Sequence, residues 1–156
     1  MDGTDIETVE VYPSGHCCTP FHNGKICRLD FHSGIHCTLT LPEGPPQDLK
    51  VFAPKRFFRG STFWAEVYMD ANSVFMCEIF DVTHMYGVKL NTVLCERLPQ
   101  MIEALESVKC IHESPPVRIM AKKFRFPEPQ TESLIFNLKE YSTHPMLYCP
   151  LKQIFL

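Results

Sequence analysis

The chain has 156 residues, of which 45% are hydrophobic and 21% are charged, and this composition is typical of a globular domain rather than a disordered chain. Its formal net charge of -3 at pH 7 excludes an overall basic field that attracts nucleic acid or an anionic membrane over long distances. The acidic N-terminal segment lacks the features of a secretory signal, and no apolar run is long enough to span a membrane. The eight cysteines therefore predict reduced thiols in the cytoplasm, with a ribonucleoprotein granule, a germ granule and the nucleus as open alternatives.

Alternation of apolar and polar residues predicts a mainly β, β-rich α+β fold. Residues 25–41 alternate on both sides of His32-Ser33-Gly34, which predicts a first hairpin, and the proline-rich segment 41–50 predicts a loop after it. Residues 63–82 alternate around Asp70-Ala71-Asn72 and predict a second hairpin.

The second half of the chain predicts one helix among short strands. Residues 87–90 predict a strand. Pro99 is placed to begin a helix over residues 98–106, because the first turn of a helix does not need the amide hydrogen that proline lacks. Residues 107–114 and several apolar runs beyond them predict further strands.

The order of features between residues 60 and 112 resembles a family of protein-interaction domains. The segments that carry the resemblance are Phe63-Trp64-Ala65-Glu66-Val67, Ile79-Phe80-Asp81, Gly87, Glu96-Arg97-Leu98-Pro99 and Val108-Lys109-Cys110-Ile111. In this order they resemble a divergent Tudor domain of the extended kind. The resemblance implies a small bent barrel with a flanking lobe like an OB-fold or a nuclease domain. It also implies a surface that binds a peptide, often one with methylated arginine.

This resemblance divides the chain into three segments. Residues 1–59 are expected to supply N-terminal strands of the flanking lobe, with the candidate zinc ligands among them. Residues 60–98 are expected to form the Tudor-like core. Residues 99–156 are expected to form the helix and the C-terminal strands of the lobe.

The residues that line the peptide pocket of that family are altered here. The aromatic expected two residues before Asp81 is Ile79, the one expected just after it is Val82, and the expected asparagine corresponds to His84. A methylated guanidinium binds by cation–π attraction to aromatic faces, so we expect peptide binding without a preference for methylated arginine. The candidate peptide contacts are Trp64, Tyr68, Phe80 and Tyr86. The alternative is that these rings pack in the core.

The segment from His16 to Cys37 is dense in potential zinc ligands, since it holds eight of the fifteen cysteine and histidine residues of the chain. Zinc prefers four nitrogen or sulfur ligands in a tetrahedron. Four of these residues have a spacing similar to that of CHHC zinc fingers, which are implicated in RNA binding; they are Cys17, His22, His32 and Cys37. The alternative is that the cysteines are small buried hydrophobes on alternating strands, and the lack of a C-x2-C pair favours it.

The sequence therefore predicts a non-enzymatic adaptor that binds a peptide of a partner protein in small-RNA or ribonucleoprotein assembly. The alternative is a zinc-containing RNA-binding module, and cations interleaved with aromatics at residues 55–59 and 122–126 suit single-stranded RNA. No glycine-rich phosphate loop, zinc-protease motif or nucleophile elbow occurs in the chain. We thus expect no catalytic residues, no membrane partner, and no cofactor beyond the zinc of the alternative. Exposed strand edges further predict self-association.

Overall fold

The structure is a computed structural model, and it describes residues 16–33, 35–111, 116–125 and 146–150. Within these ranges strands dominate, and the predicted mainly β, α+β fold is confirmed. The elements in chain order are β1 His16–Pro20, β2 Lys25–His32, β3 His36–Thr40, β4 Gln47–Leu49, β5 Val51–Phe52, a 3-10 helix Lys55–Arg59, β6 Ser61–Met69, β7 Phe75–Met85, β8 Val88–Lys89, α1 Leu94–Leu105, β9 Lys109–Cys110, β10 Val117–Ala121 and β11 Met146–Pro150.

Seven strands form one open, mixed sheet. They lie in the order β10-β7-β6-β2-β3-β4, and β8 pairs with the end of β7. Every pairing is antiparallel except that of β10 with β7, which is parallel. A parallel pair needs a crossover connection, and β8, α1 and β9 lie in the chain between β7 and β10. The pairs β1–β11 and β5–β9 form two separate two-stranded sheets.

The predicted closed barrel is wrong. In the part of the chain that the structure describes, β10 and β4 stand at opposite ends of the large sheet and do not pair with each other, whereas a barrel requires that pairing. The central hairpin β6–β7 is extended by β2, β3 and β4 on one side and by β10 on the other. Strands from all three segments that the resemblance defines thus join one wide sheet.

Both predicted hairpins are confirmed. β2 and β3 pair across the turn after His32, and β6 and β7 pair across the turn that begins at Asp70. The Asp70 carboxylate accepts hydrogen bonds from the N–H groups of Asn72 and Val74 at 2.8 and 3.0 Å, which is how an aspartate stabilises a tight turn. A β-bulge opposite Trp64 shifts the register of the second hairpin, and such a bulge bends the strand that carries it.

The hydrophobic core lies between one face of the sheet, the 3-10 helix and α1. Three rings at its centre, Phe31, Phe57 and Phe63, have centroids 5.1 to 6.2 Å apart, and full burial of each such side chain contributes about 1.5–3 kcal/mol. Further buried members are Leu29, Ile79, Leu94, Leu98 and Met101. This face of the sheet is therefore buried in the core, and a ligand site is expected on another surface.

The predicted helix exists, but its predicted start is wrong. α1 begins at Leu94, so Pro99 lies inside the helix rather than in its first turn. The N-cap residue Val93 offers no side-chain cap, and the sequence therefore carried no polar signal for this start. Burial of Leu94 and Leu98 against the core offsets the hydrogen bond lost at the proline. No helix in the described ranges has the length and apolar character to cross a membrane.

A buried ion pair fixes α1 to the sheet. The guanidinium of Arg97 donates from two nitrogens to the two carboxylate oxygens of Asp81 on β7, both at 3.1 Å. The Val82 N–H also donates to this carboxylate at 2.7 Å, and Arg97 donates further to the backbone carbonyl of Thr92. Bidentate pairing of this kind suits burial because it satisfies both partners. Asp81 thus binds the helix rather than capping a turn.

Candidate functional site

The face of the sheet opposite the core carries a buried group of charges. Glu66 on β6 stands directly opposite Glu78 on β7, an arrangement that is destabilising unless a cation compensates it. The Lys122 ammonium supplies that cation: it donates to Glu66 at 2.6 Å and to Glu78 at 2.9 Å. Its third hydrogen bond goes to the Pro20 carbonyl at 2.8 Å. We call Glu66, Glu78 and Lys122 the charge cluster.

Glu66 also holds the turn between β1 and β2. Its second carboxylate oxygen accepts hydrogen bonds from the N–H groups of His22 and Gly24 at 2.8 and 2.7 Å. Asn23 between them has a φ of 57°, which is tolerated by asparagine but uncommon for other side chains. A Cβ at Gly24 would lie 2.4 Å from the carbonyl oxygen of Val67. The turn can approach β6 this closely only because residue 24 is glycine.

The electrostatics of Glu66 are decided by its partners. Complete burial of the side chain tends to raise its pKa by desolvation, but the hydrogen bonds from Lys122, Gly24 and His22 outweigh this effect. The pKa of Glu66 therefore lies below its usual value, and the carboxylate is ionised at neutral pH. Because it is ionised, this one buried carboxylate can accept hydrogen bonds both from the turn and from Lys122, the residue that follows β10.

His22 and Tyr68 border the charge cluster. Their rings stack with centroids 4.1 Å apart, and the Tyr68 hydroxyl donates to Glu78 at 2.7 Å. Burial and this bond to a carboxylate raise the pKa of Tyr68. His22, Glu66 and Glu78 together offer ligand atoms within 4.8 Å of one another, the geometry of a divalent-cation site. Because Lys122 already provides a cation between the two carboxylates, we interpret the group as a structural ion network.

A groove opens on the same face, next to the charge cluster along β6. Trp64 and Thr62 alternate with core residues on this strand, and Arg28 and Asp30 stand opposite them on β2, so their side chains share one face. The groove has a volume of about 440 Å³. We call it the Trp64 groove, and its lining residues are Arg28, Asp30, Thr62, Trp64, Thr83, His84 and Lys89.

The wall of the Trp64 groove carries more cations than anions. Asp30 uses both carboxylate oxygens inside the protein, accepting from Arg28 at 2.8 Å and from Thr62 at 2.7 Å. Lys89 is exposed, and the structure records no ion pair for it within the described ranges. A ligand in the groove therefore meets the Trp64 ring between cationic side chains. Such a surface suits an apolar group that is followed by a negative charge.

The structure does not bring the four predicted peptide contacts together. Trp64 lies in the groove, whereas Tyr68 is bound to Glu78 beside the charge cluster. Phe80 is partly buried against the core at the β-bulge. Tyr86 packs on Phe57 with centroids 5.3 Å apart, under the guanidinium of Arg56. Of the four, only Trp64 lines a groove that a peptide can enter. The alternative interpretation, that the rings pack inside the protein, fits Tyr68, Phe80 and Tyr86 better.

The four candidate zinc ligands do not converge either. His32 bonds to Thr38 and stacks on His36. Cys37 is buried on β3 opposite Phe31 in the core. The other two, Cys17 and His22, lie at β1 and at the charge cluster. In the described ranges, His22, Glu66 and Glu78 are the one group of three or more residues with metal-ligand geometry, so the CHHC spacing corresponds to strand alternation rather than to a tetrahedron.

Glu78 was missed in the sequence, Glu66 was noticed only as part of a motif, and Lys122 was noticed only as one of the cations that suit RNA, whereas the structure buries it. The hairpin itself contained part of the signal, because Glu66 and Glu78 are each six positions from residue 72, the centre of the turn over residues 70–74, and therefore stand opposite each other. Two opposed carboxylates require a cation. The identity of that cation, Lys122, depends on a contact 56 residues away from Glu66 and could not be read locally.

No protein-family model matches the chain, and no curated protein matches it. The function of the two sites therefore has to be inferred from their geometry.

Proposed function

We propose that the protein is a non-enzymatic interaction module that binds a peptide segment of a partner protein in the Trp64 groove. The observation that carries this proposal is a partly exposed tryptophan in a groove on a sheet face that the core does not use. Tryptophan is enriched among the residues that dominate binding energy at interfaces. The sheet beneath it is rigid, because β6 pairs with β2 on one side and with β7 on the other.

The chemistry of the groove defines the peptide. An apolar side chain packs on the Trp64 ring, and an acidic residue next to it pairs with Lys89 or with the guanidinium edge of Arg28. The Thr62 and Thr83 hydroxyls border the same space; both already donate inside the protein, to Asp30 and to the Thr62 carbonyl, and so they suit hydrogen bonds accepted from peptide N–H groups. The preferred segment is therefore short, with one apolar anchor and at least one carboxylate.

The same chemistry supports binding that is independent of arginine methylation. A methylated arginine keeps its positive charge and needs several aromatic faces around it. In the Trp64 groove it meets one ring, flanked by Arg28 and Lys89, and like charges oppose it. A role in small-RNA assembly rests on the sequence resemblance alone, whose implied barrel the described strands do not form, and this proposal does not need that role.

The chain offers a direct experiment because Trp64 is its only tryptophan. Peptides are selected from a phage-displayed random library on the full chain. Titration of the unmodified chain is followed by Trp64 fluorescence, and the same peptides are titrated by calorimetry into the variants, because Trp64→Ala lacks the fluorophore. Trp64→Ala is expected to weaken binding by about 2 kcal/mol or more, which is about 30-fold, as for an interface hot spot. The matched control is Phe52→Ala, an aromatic side chain that is 68% exposed outside the groove. Peptides that bind both variants equally well contradict the proposal.

A second candidate ligand, single-stranded RNA, is favoured by the combination of Trp64 with Arg28 and Lys89. An aromatic platform beside cations can stack a base and bind its phosphate. A uridine-rich oligonucleotide tests it in the same fluorescence titration. Affinity that falls steeply with salt supports RNA as the ligand, whereas an oligonucleotide that leaves Trp64 fluorescence unchanged eliminates it.

A further inference from the structure

Two cysteines face each other where the first and the last described strands meet. Cys17 on β1 and Cys149 on β11 are direct partners in the antiparallel register. Opposed residues in such a pair have Cα atoms about 4.5–5.5 Å apart, which lies inside the range that a disulfide spans. The Cys17 Sγ lies 3.7 Å from the carbonyl oxygen of Cys149. The backbone of the two strands therefore already has the spacing of a cross-link.

The two thiols differ in acidity because they interact with each other. Donation from the Cys17 thiol lowers the pKa of Cys149, and the nearby Lys122 ammonium lowers it further, although burial acts in the opposite direction. The same interaction with Cys149, together with burial, raises the pKa of Cys17 far above its ordinary value. Cys149 is also the more accessible of the two, at 8% exposed against 0% for Cys17. Cys149 is thus the thiolate that reacts first.

We propose that Cys17 and Cys149 are a redox modification site, at which a peroxide converts the two thiols into a reversible intrachain disulfide that fastens β1 to β11. This inference does not depend on the peptide-binding role of the Trp64 groove. The neighbouring Cys18 is opposite Tyr148 in the register and therefore points to the other side of the strand.

The chemistry balances with hydrogen peroxide as the oxidant. The Cys149 thiolate attacks one peroxide oxygen, the O–O bond breaks, hydroxide leaves, and Cys149 becomes a sulfenic acid. The Cys17 sulfur then loses its proton and attacks the sulfenic sulfur, the S–O bond breaks, and hydroxide leaves as the S–S bond forms. The two sulfurs supply two electrons, and with the two thiol protons the peroxide becomes two waters. Because Cys17 is in contact, it traps the sulfenic acid before further oxidation.

The cross-link has a structural consequence. Cys17 and Cys149 are 132 positions apart, so their disulfide closes nearly the whole chain into a loop. A loop of this length removes much conformational freedom from the unfolded chain. Oxidation is therefore expected to raise the melting temperature, and reduction to restore the original value.

Other cysteines of the chain could form a competing disulfide. Cys37 and Cys110 pair with Leu49 and Val51, which are two residues apart in the chain, so a link between those two cysteines is the rival product. The full chain is treated with hydrogen peroxide, remaining thiols are alkylated, and cross-linked peptides are sequenced by mass spectrometry. Fragment ions separate Cys17 from Cys18. We expect the Cys17–Cys149 peptide pair to dominate, to disappear with dithiothreitol, and to accompany a higher melting temperature.

Variants sharpen this test. Cys149→Ala is expected to abolish the cross-link and the rise in melting temperature, while Cys18→Ala, an adjacent buried cysteine, keeps both. If Cys149→Ala does not fold, the peptide map of the unmodified chain still decides. Dominant Cys37–Cys110 links overturn the proposal, and so does over-oxidation of Cys149 without a cross-link or a cross-link that leaves the melting temperature unchanged.

Discussion

Removal of the Lys122 side chain is expected to be among the most destabilising single changes in the protein. Lys122 is 3% exposed and donates three hydrogen bonds, two of them to carboxylates. In Lys122→Ala, Glu66 and Glu78 face each other across the hairpin without a cation. Glu66 cannot escape to solvent, because its side chain is fully buried under the turn that it binds.

The size of the effect follows from these contacts. Removing one partner of a buried ion pair costs about 3–5 kcal/mol. Glu66 keeps two backbone N–H donors in the variant, which places the expected loss near the lower end, at about 3 kcal/mol. For a domain of this size, that loss lowers the melting temperature by roughly 6–12 °C.

Urea denaturation of the full chain measures the free energy of unfolding of the variant. The matched control is Lys123→Ala, a neighbouring exposed lysine, for which a change within about 0.5 kcal/mol is expected. Lys122→Met combined with Glu66→Gln should be less destabilised than Lys122→Met alone, because the double variant leaves one buried charge fewer without a partner. A loss below about 1 kcal/mol for Lys122→Ala would refute this account of the charge cluster.

Three further predictions concern the residues around this cluster and α1. Gly24→Ala should cost about 1–3 kcal/mol in urea denaturation, because its Cβ collides with the Val67 carbonyl; an unchanged midpoint contradicts the tight turn. The depressed pKa of Glu66 means that its stabilising contribution is complete above its unfolded pKa of about 4.5 and is lost as pH falls through the lower folded pKa. Glu66→Gln should therefore flatten the decline of the urea midpoint as the pH falls below about 4.5, and a decline as steep as that of the unmodified chain contradicts the depressed pKa of Glu66. Arg97→Met leaves the buried Asp81 carboxylate without the Arg97 guanidinium and should lower the free energy of unfolding by about 3–5 kcal/mol, measured by calorimetry or urea denaturation. An unchanged free energy of unfolding would show that the pair does not hold α1 on the sheet.

Local patterns were sufficient to predict the two hairpins and the presence of one helix, but not the start of that helix, the strand β4 within the predicted loop 41–50, or the assembly of the strands. The turn at Asp70 and the alternation on either side of it depend on neighbouring residues, and so the hairpins were predicted correctly. The placement of β10 beside β7 depends on a parallel pairing between Val117 and Phe75 and a crossover through α1. That pairing is non-local and leaves no periodicity in the sequence. An open sheet therefore could not be distinguished from a closed barrel.

The candidate site was predictable to a similar extent. Trp64 was singled out as a candidate contact, and its ring is partly exposed because its position on β6 alternates with the core residues Phe63 and Ala65. Phe80 packs against the core at the bulge, and the hydrogen bond of Tyr68 to Glu78 holds that ring beside the charge cluster, so neither ring lines the Trp64 groove. Both effects arise from tertiary contacts, which residue type and spacing do not reveal.

The central claim is that the Trp64 groove is the ligand-binding surface of the protein. Its most direct measurement is the dissociation constant of a library-selected acidic peptide, compared between the unmodified chain, Trp64→Ala and Lys89→Glu, with Lys55→Glu as an exposed charge-reversal control outside the groove. The account predicts that Trp64→Ala loses about 30-fold or more in affinity and Lys89→Glu about tenfold or more, while the control retains it. Equal affinity in all four proteins contradicts the claim.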